Sequence, residues 1–151
     1  MKYRLIIDES KEESIIITAH EKSELINQIE KLINNNSFKL IGYKDNEMYP
    51  LNLLDVYCFY TLDGKIIAKT KDEEYSVRER IYQLEKYTDG TFIKINQGCL
   101  VQIKKILRFE PTIGGSIKVV LKNNYSDYIS RRELKNVKRS LGLWENMWMS
   151  F

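Results

Sequence analysis

Residues 91–143, TFIKINQGCLVQIKKILRFEPTIGGSIKVVLKNNYSDYISRRELKNVKRSLGL, decide the fold. Short runs of β-branched and aromatic residues alternate here with Gly-Gly and Asn-Asn turns, a pattern typical of antiparallel strands. A helix signal follows, because Ser130 and Glu133 have the Ser-x-x-Glu spacing of a capping box. Gly142 comes just after the last apolar position and predicts the end of that helix. We therefore expect a strand-rich unit that closes with one helix.

The same pattern extends upstream to residue 37. The further strand-like runs are FKLIGY, MYPLNL, VYCFYTL and KIIAKT, with turn signals at Lys44-Asp45-Asn46 and Asp63-Gly64. A second capping box, from Ser76 to Glu79, predicts a helix that continues to Leu84 and ends near Asp89-Gly90. Regular short strands with Gly and Asn turns favour a mainly β (α+β) fold with compact antiparallel sheets over alternating β-α-β units.

The first part of the chain has a different organisation. Two strand-like runs, at residues 2–8 and 14–18, precede a Thr18-x-x-Glu21 capping box, and Asn34-Asn35-Asn36 is the candidate linker. Between the capping box and the linker lies a single apolar stripe at helical spacing, formed by Leu25, Ile26, Ile29, Leu32 and Ile33. We expect a small β-β-α unit within residues 1–40, a main domain at 46–143 and a tail at 144–151. The stripe packs either on another subunit or inside the unit's own core.

The chain has 151 residues, of which 43% are hydrophobic and 30% charged. This length and composition fit one folded domain with a small appendage. No run approaches the ~20 apolar residues of a membrane span, and we expect a cytoplasmic protein. Cys58 and Cys99 match no zinc or redox spacing, and no phosphate-binding glycine loop or nucleophile elbow occurs in the sequence. We expect no cofactor and no catalytic activity.

Charge is distributed unevenly along the chain. Residues 1–90 carry 13 Lys+Arg against 17 Asp+Glu, whereas residues 91–151 carry 11 against 4. The net charges are therefore −4 and +7. This asymmetry indicates that the second part binds a polyanion, although a basic face can also serve only solubility.

The start of the last predicted helix breaks a local rule. With Ser130 as N-cap, Arg131 and Arg132 occupy the first turn, where the helix dipole disfavours cations. An anion bound there would explain them, because helix N-terminal N–H groups and arginine side chains both bind phosphate. Further cations follow at Lys135, Lys138 and Arg139. The alternative is that one arginine pairs with Glu110 or Asp127.

A second candidate site lies at Lys94-Ile95-Asn96-Gln97-Gly98. Lys94 and Asn96 alternate with apolar residues, so they leave one face of a strand just before a glycine. Asn and Gln can bind adenine through two hydrogen bonds, and Lys can reach guanine or phosphate. Equally, Asn96 and Gln97 can simply satisfy the backbone of a turn.

The ordered motifs of residues 46–143 resemble the LytTR-type DNA-binding domain of bacterial transcription regulators. The matching segments are 54–60, 92–98, Leu100-Val101-Gln102, Ile106, Gly115-Ser116-Ile117, Ser130-Arg131-Arg132 and Leu141-Gly142. Two positions depart from the family pattern: Gly98 stands where Ser is usual, and Gln102 where Asn is usual. Residues 1–40 are too short for a phosphoacceptor receiver domain, as in the small stand-alone members of the family.

The resemblance implies a compact, mostly antiparallel domain that inserts loops, rather than a recognition helix, into successive major grooves. The family's three base-contacting loops correspond here to Gly64-Lys65, Asn96-Gln97 and Arg132. Phosphate contacts are expected from the basic second part of the chain, including Lys104 and Lys105. The resemblance also implies paired half-sites, read by a homodimer or by two copies in tandem, and a small membrane protein as a partner.

Two other functions fit the sequence. An RNA-binding β module would need exposed aromatic rings to stack bases, and the candidates are Tyr57, Tyr60 and Tyr125. A protein-interaction module would use the sheets as a scaffold. Trp144 and Trp148 lie four residues apart in the tail and either cap the core or bind a partner.

Overall fold

The computed structural model describes residues 4, 6–11, 14–35, 39–88 and 90–142. The chain divides into two units, Met1–Asn34 and Asn35–Phe151. The predicted tail, with Trp144 and Trp148, lies outside the described residues.

Helix α1, Glu24–Asn35, carries the predicted apolar stripe, and all but its last residue belong to the first unit. It follows Ser23, whose Oγ accepts the N–H of Ile26 at 3.4 Å and whose carbonyl oxygen accepts that of Asn27 at 3.1 Å. The helix is confirmed, but the predicted Thr18–Glu21 capping box is wrong. Ser23 directly precedes Glu24, the first helical residue, and its side chain accepts a first-turn N–H, which makes it the N-cap.

The two strands predicted in this unit are wrong as far as the structure describes them. Residues 6–8 and 14–18 form neither strand nor helix. Ile7 and Ile16 are exposed to 85% and 89%. A strand needs a hydrogen-bonded neighbour, and two strands without a further apolar layer are marginal in water. A β-branched composition supplies neither the neighbour nor the layer.

The second unit holds ten strands and two α-helices among its described residues. The strands are β1 (Leu40–Lys44), β2 (Glu47–Leu51), β3 (Cys58–Leu62), β4 (Lys65–Lys69), β5 (Glu74–Val77), β6 (Phe92–Asn96), β7 (Cys99–Gln102), β8 (Ile106–Pro111), β9 (Ile117–Leu121) and β10 (Ser126–Ile129). The helices are α2 (Ile81–Tyr87) and α3 (Arg131–Ser140), with 3₁₀ turns at Leu53–Asp55 and Ile103–Lys105. The mainly β, antiparallel fold is confirmed.

The strands form two antiparallel sheets. The larger has the order β2-β1-β5-β4-β3-β7-β6, and the smaller has the order β10-β9-β8. Successive side chains of a strand point to opposite faces, and each face of the larger sheet contributes to a separate buried core. Cys58, Cys99 and Val101 pack with the smaller sheet and α3, whereas Phe59 and Leu100 pack with α2.

The predicted capping box at Ser76–Glu79 is wrong. Ser76 lies in β5, where its Oγ donates to the carbonyl oxygen of Tyr43 at 3.2 Å. Helix α2 begins instead after Arg80, whose N–H donates to Gln83 Oε1 at 2.9 Å. Strands β1 and β4 flank β5 and supply ladder hydrogen bonds from distant parts of the chain. Those long-range bonds outweigh a local helix signal.

Both cysteines are free and buried. Burial raises the pKa of Cys58 to about 12 and raises that of Cys99 as well. Only the thiolate is a good nucleophile or metal ligand. These thiols therefore act as small core side chains.

Gln102 connects the larger sheet to the 3₁₀ turn before β3. Its side chain is buried, and its Nε2 donates to the carbonyl oxygens of Leu53 (3.1 Å), Leu54 (3.2 Å) and Val56 (2.8 Å). A carbonyl without a donor in such a place is costly. The departure from Asn at this position therefore has a structural role.

We expect Gln102→Leu to lower the free energy of unfolding by about 1–3 kcal/mol, because it leaves buried carbonyl groups without a donor. Urea denaturation followed by circular dichroism measures the change. The matched control is Gln97→Leu at an exposed position, which should stay within about 0.5 kcal/mol of the wild type. Equal effects of the two substitutions would contradict the role of Gln102.

Candidate nucleic-acid interface

Two turns meet at one end of the larger sheet. The β3–β4 turn has positive φ at Asp63 (51°) and Gly64 (75°), as a two-residue hairpin with the strands' twist requires. The β6–β7 turn contains Gln97 and Gly98. Thr61 Oγ1 donates to the Gly98 carbonyl oxygen at 3.1 Å and so links the two turns.

The N-terminus of α3 lies at the same end. The Ser130 N–H donates to the Ile95 carbonyl oxygen at 2.8 Å, which joins the start of the helix to the end of β6. Ser130 Oγ in turn accepts the Glu133 N–H at 3.3 Å. The predicted helix start at Ser130 is confirmed, and Arg131 and Arg132 therefore stand beside the β6–β7 turn.

Asn96 is occupied by hydrogen bonds inside the protein. Its Nδ2 donates to Asp127 Oδ2 (3.1 Å) and to the Tyr128 carbonyl oxygen (3.0 Å), while its Oδ1 accepts the Gly98 N–H at 3.0 Å. Contact between Asn96 and a base edge would require these bonds to break. Gln97 is exposed, and its side chain has no hydrogen-bond partner among the described residues.

Arg131 and Arg132 are exposed and have no acidic partner among the residues that the structure describes. The two acids considered as partners are engaged elsewhere. Glu110 pairs with Arg108 (2.7 Å) and Lys118 (3.1 Å), and the hydrogen bonds that it accepts from these two side chains lower its pKa. Asp127 accepts from Asn96. Two exposed cations therefore remain at a helix N-terminus, and Lys135 is exposed one turn further along α3.

A cleft of about 690 Å³ opens at this end of the sheet. It brings together Gly64, Lys65, Lys94 and Gln97, which the sequence assigns to two separate sites. Its lining also holds two cations that the sequence does not predict, Arg78 and Arg80. They lie on the connection between β5 and α2, where the local spacing wrongly predicts the start of a helix.

Lys104 and Lys105 are not part of this group. Strand β7 runs away from the β6–β7 turn, and its last residue, Gln102, pairs with Phe92 at the other end of the sheet. The 3₁₀ turn that follows carries both lysines. Lys105 Nζ lies 4.8 Å from the centre of the Tyr57 ring. Lys138, on α3, is half-buried.

The tyrosines considered for base stacking are packed within the domain. The rings of Tyr60 and Tyr125 stack on each other at 5.1 Å and lie against the core. Burial raises the pKa of Tyr60 to about 12 and also raises that of Tyr125. Tyr57 lies beneath Lys105. These three rings therefore do not form an open platform for bases.

Within the described ranges, no group of three or more His, Cys, Asp or Glu side chains is arranged to hold a metal ion. None of the helices in those ranges is long and apolar enough to cross a membrane.

A mainly β domain whose cationic turns and helix start meet at one end has the form of a nucleic-acid-binding module. The family model of the LytTr DNA-binding domain matches residues 46–142. The chain belongs to the LytTR family, as its motifs predict, and these residues form its DNA-binding domain.

Similar proteins agree with this assignment. Over 149 residues, the chain is 33% identical to an HTH-type transcriptional regulator of Staphylococcus aureus strain NCTC 8325, covering 95% of this chain and 99% of the relative. A counterpart in the bovine strain RF122 is 32% identical over the same length. The fold matches a LytTr DNA-binding domain from Bacillus cereus with a TM-score of 0.63 and 14% identity, covering 71% of this chain and all of that one.

The relatives' names mention a helix-turn-helix, but the described residues contain no such motif. Helices α2 and α3 are the only α-helices described in the second unit, and five strands separate them. A helix-turn-helix needs two consecutive helices joined by a short turn. The candidate contacts in this chain are therefore on turns and at a helix start.

We expect Asn96→Ala to lower the free energy of unfolding by about 1–3 kcal/mol and to weaken DNA binding on every duplex, because the turn and the start of α3 both lose hydrogen bonds. Urea denaturation and fluorescence anisotropy measure the two effects. The adjacent Gln97→Ala is the control, since it should leave stability unchanged. If Asn96→Ala had full stability, Asn96 would not be the link between these elements.

Proposed function

We propose that the protein is a sequence-specific transcriptional regulator that binds duplex DNA through turns inserted in the major groove. The observation that carries this proposal is the meeting of three segments at one end of the sheet. The Gly64-Lys65 turn, the Gln97 turn and the start of α3 at Arg132 correspond to the three contact loops of the family. The names of the relatives support the regulatory role.

Each side chain has a role that its chemistry supports. Arg132 and Lys65 can donate to guanine O6 and N7, and Gln97 can bind adenine through its amide. Arg131 and Lys135 are suited to phosphate, where charge matters more than geometry. Asn96, whose amide is already bonded, holds the Gln97 turn in position. Lys104 and Lys105 can contribute to the general positive field from the far end of the sheet.

We further propose that two copies bind paired half-sites as a homodimer through helix α1. Its Leu25, Leu32 and Ile33 are exposed to 44%, 60% and 45%. A second copy of the same helix would remove these side chains from water, and paired half-sites require two copies. A small membrane protein as a partner remains a prediction from the family resemblance.

The first experiment measures binding by fluorescence anisotropy, using DNA from upstream of the protein's own operon and a scrambled duplex at two salt concentrations. A specific regulator binds the upstream fragment more tightly. Equal and steeply salt-dependent binding to both would indicate only a basic surface. No binding at low salt would contradict the proposed function and favour the protein-interaction alternative.

On the DNA that is bound specifically, we expect Arg132→Ala to weaken binding by about 1–3 kcal/mol and to relax specificity at one base position. Anisotropy with a set of single-base variants of that site measures both effects. The control is Lys122→Ala. Lys122 is exposed, and its N–H donates to the Lys105 carbonyl oxygen at 2.9 Å, at the end of the larger sheet away from the candidate turns. An equal loss of affinity on all sequences would make Arg132 a phosphate contact instead.

We expect the double substitution Leu25→Lys and Ile29→Lys to produce a soluble monomer, because it places charges in the apolar stripe of α1. Light scattering coupled to size-exclusion chromatography gives the mass. Asn27→Lys, which the helical spacing places opposite the apolar stripe, is the control and should leave a dimer. A dimer that survives the double substitution would remove α1 as the contact.

A further inference from the structure

We propose that the connection between β5 and α2 is a phosphate clamp, in which Arg78 and Arg80 bind the DNA backbone beside the base-contacting turns. This inference rests on the proposed function, since it names a further part of the same binding surface. Neither arginine belongs to the three contact segments discussed above. The cationic cleft, defined by Lys65, Arg78, Arg80 and Lys94, is the site.

The position of these arginines follows from the register of the sheet. Val77, the last residue of β5, pairs with Ile66, which follows Lys65 at the start of β4. Arg78 therefore leaves the sheet at the end where the β3–β4 turn lies. A duplex that meets this turn passes the β5–α2 connection at the same end.

The connection is also held rigidly. Val77 and Ile81 are buried on either side of it, at 7% and 9% exposure. The guanidinium of Arg78 lies 4.5 Å from the centre of the Tyr43 ring, within the range of a cation–π contact. The Arg80 N–H donates to Gln83 Oε1 at 2.9 Å. A connection that is already anchored needs no further ordering of its backbone when it binds, which favours phosphate contacts here.

The charge of the cleft fits a phosphate backbone better than a small apolar ligand. Its lining carries four cations against the single carboxylate of Glu79. Small-molecule pockets are lined mostly by hydrophobic and aromatic side chains with a few polar groups. Both arginines are exposed, and neither has an acidic partner among the described residues. They are therefore available to an external anion.

Phosphate contacts carry no base information, so they have a distinct signature. The logarithm of the binding constant falls with the logarithm of salt concentration with a slope of about −0.9 for each phosphate neutralised. Removal of a phosphate contact makes this slope shallower and weakens binding to all sequences. Removal of a base contact such as Arg132 changes the ranking of sequences instead.

The test compares Arg78→Gln, Arg80→Gln and the double variant in salt titrations by anisotropy, on the upstream fragment and on scrambled duplex. We expect the slope to become shallower by about 0.9 for each arginine that is replaced, with the same fall in affinity on both duplexes. Lys122→Gln, which removes one charge near the far end of the sheet, should leave the slope unchanged. Arg78→Lys should keep it, because the charge remains.

Thermal melting of each variant identifies any loss of folding from the contact between Arg78 and Tyr43. A folded double variant with an unchanged slope would overturn the clamp, and so would a slope change of equal size in Lys122→Gln. In either case specific binding by the wild type, and the loss of specificity in Arg132→Ala, would still support the proposed function. The two proposals therefore fail separately.

Discussion

The hydrogen bond from the Ser130 N–H to the Ile95 carbonyl oxygen is the constraint on which the proposed binding surface depends. It joins the end of β6 in one sheet to the start of α3, which follows the other sheet. Asn96 reinforces the same junction through Asp127 and Tyr128. Without this junction the helix start and the turns would belong to separate layers. With it, side chains from distant parts of the sequence share one surface.

The packing of the larger sheet explains why that surface lies at the ends of the strands. One face is covered by the smaller sheet and α3, and α2 packs against the other. The side chain of Gln102 also joins β7 to the 3₁₀ turn before β3, because its amide donates hydrogen bonds to carbonyl oxygens of that segment. Side chains in turns are therefore the ones that can meet a ligand without disturbing the core.

The strands could be predicted from sequence where turn chemistry and apolar runs agreed, as at Asp63-Gly64. The α3 start could be predicted because Ser130 acts locally. Strand β5 could not, because its stability comes from pairing with β1 and β4, which local spacing does not contain. Because the sequence predicts a helix start at Ser76 instead of strand β5, it also fails to identify Arg78 and Arg80 as part of the candidate site. Nor could the sequence separate Lys104 and Lys105 from the site, because only the direction of β7 places them at the far end of the sheet.

The internal use of Asn96 has an evolutionary consequence. Asn96 holds the turn and is restrained by folding, whereas its neighbour Gln97 is exposed and takes no part in those hydrogen bonds. Under the proposed function, Gln97 can therefore change as the recognised DNA changes, on a turn that keeps its shape. A regulator with the proposed contacts can acquire new targets by exchanging single turn side chains, with no compensating change in the core.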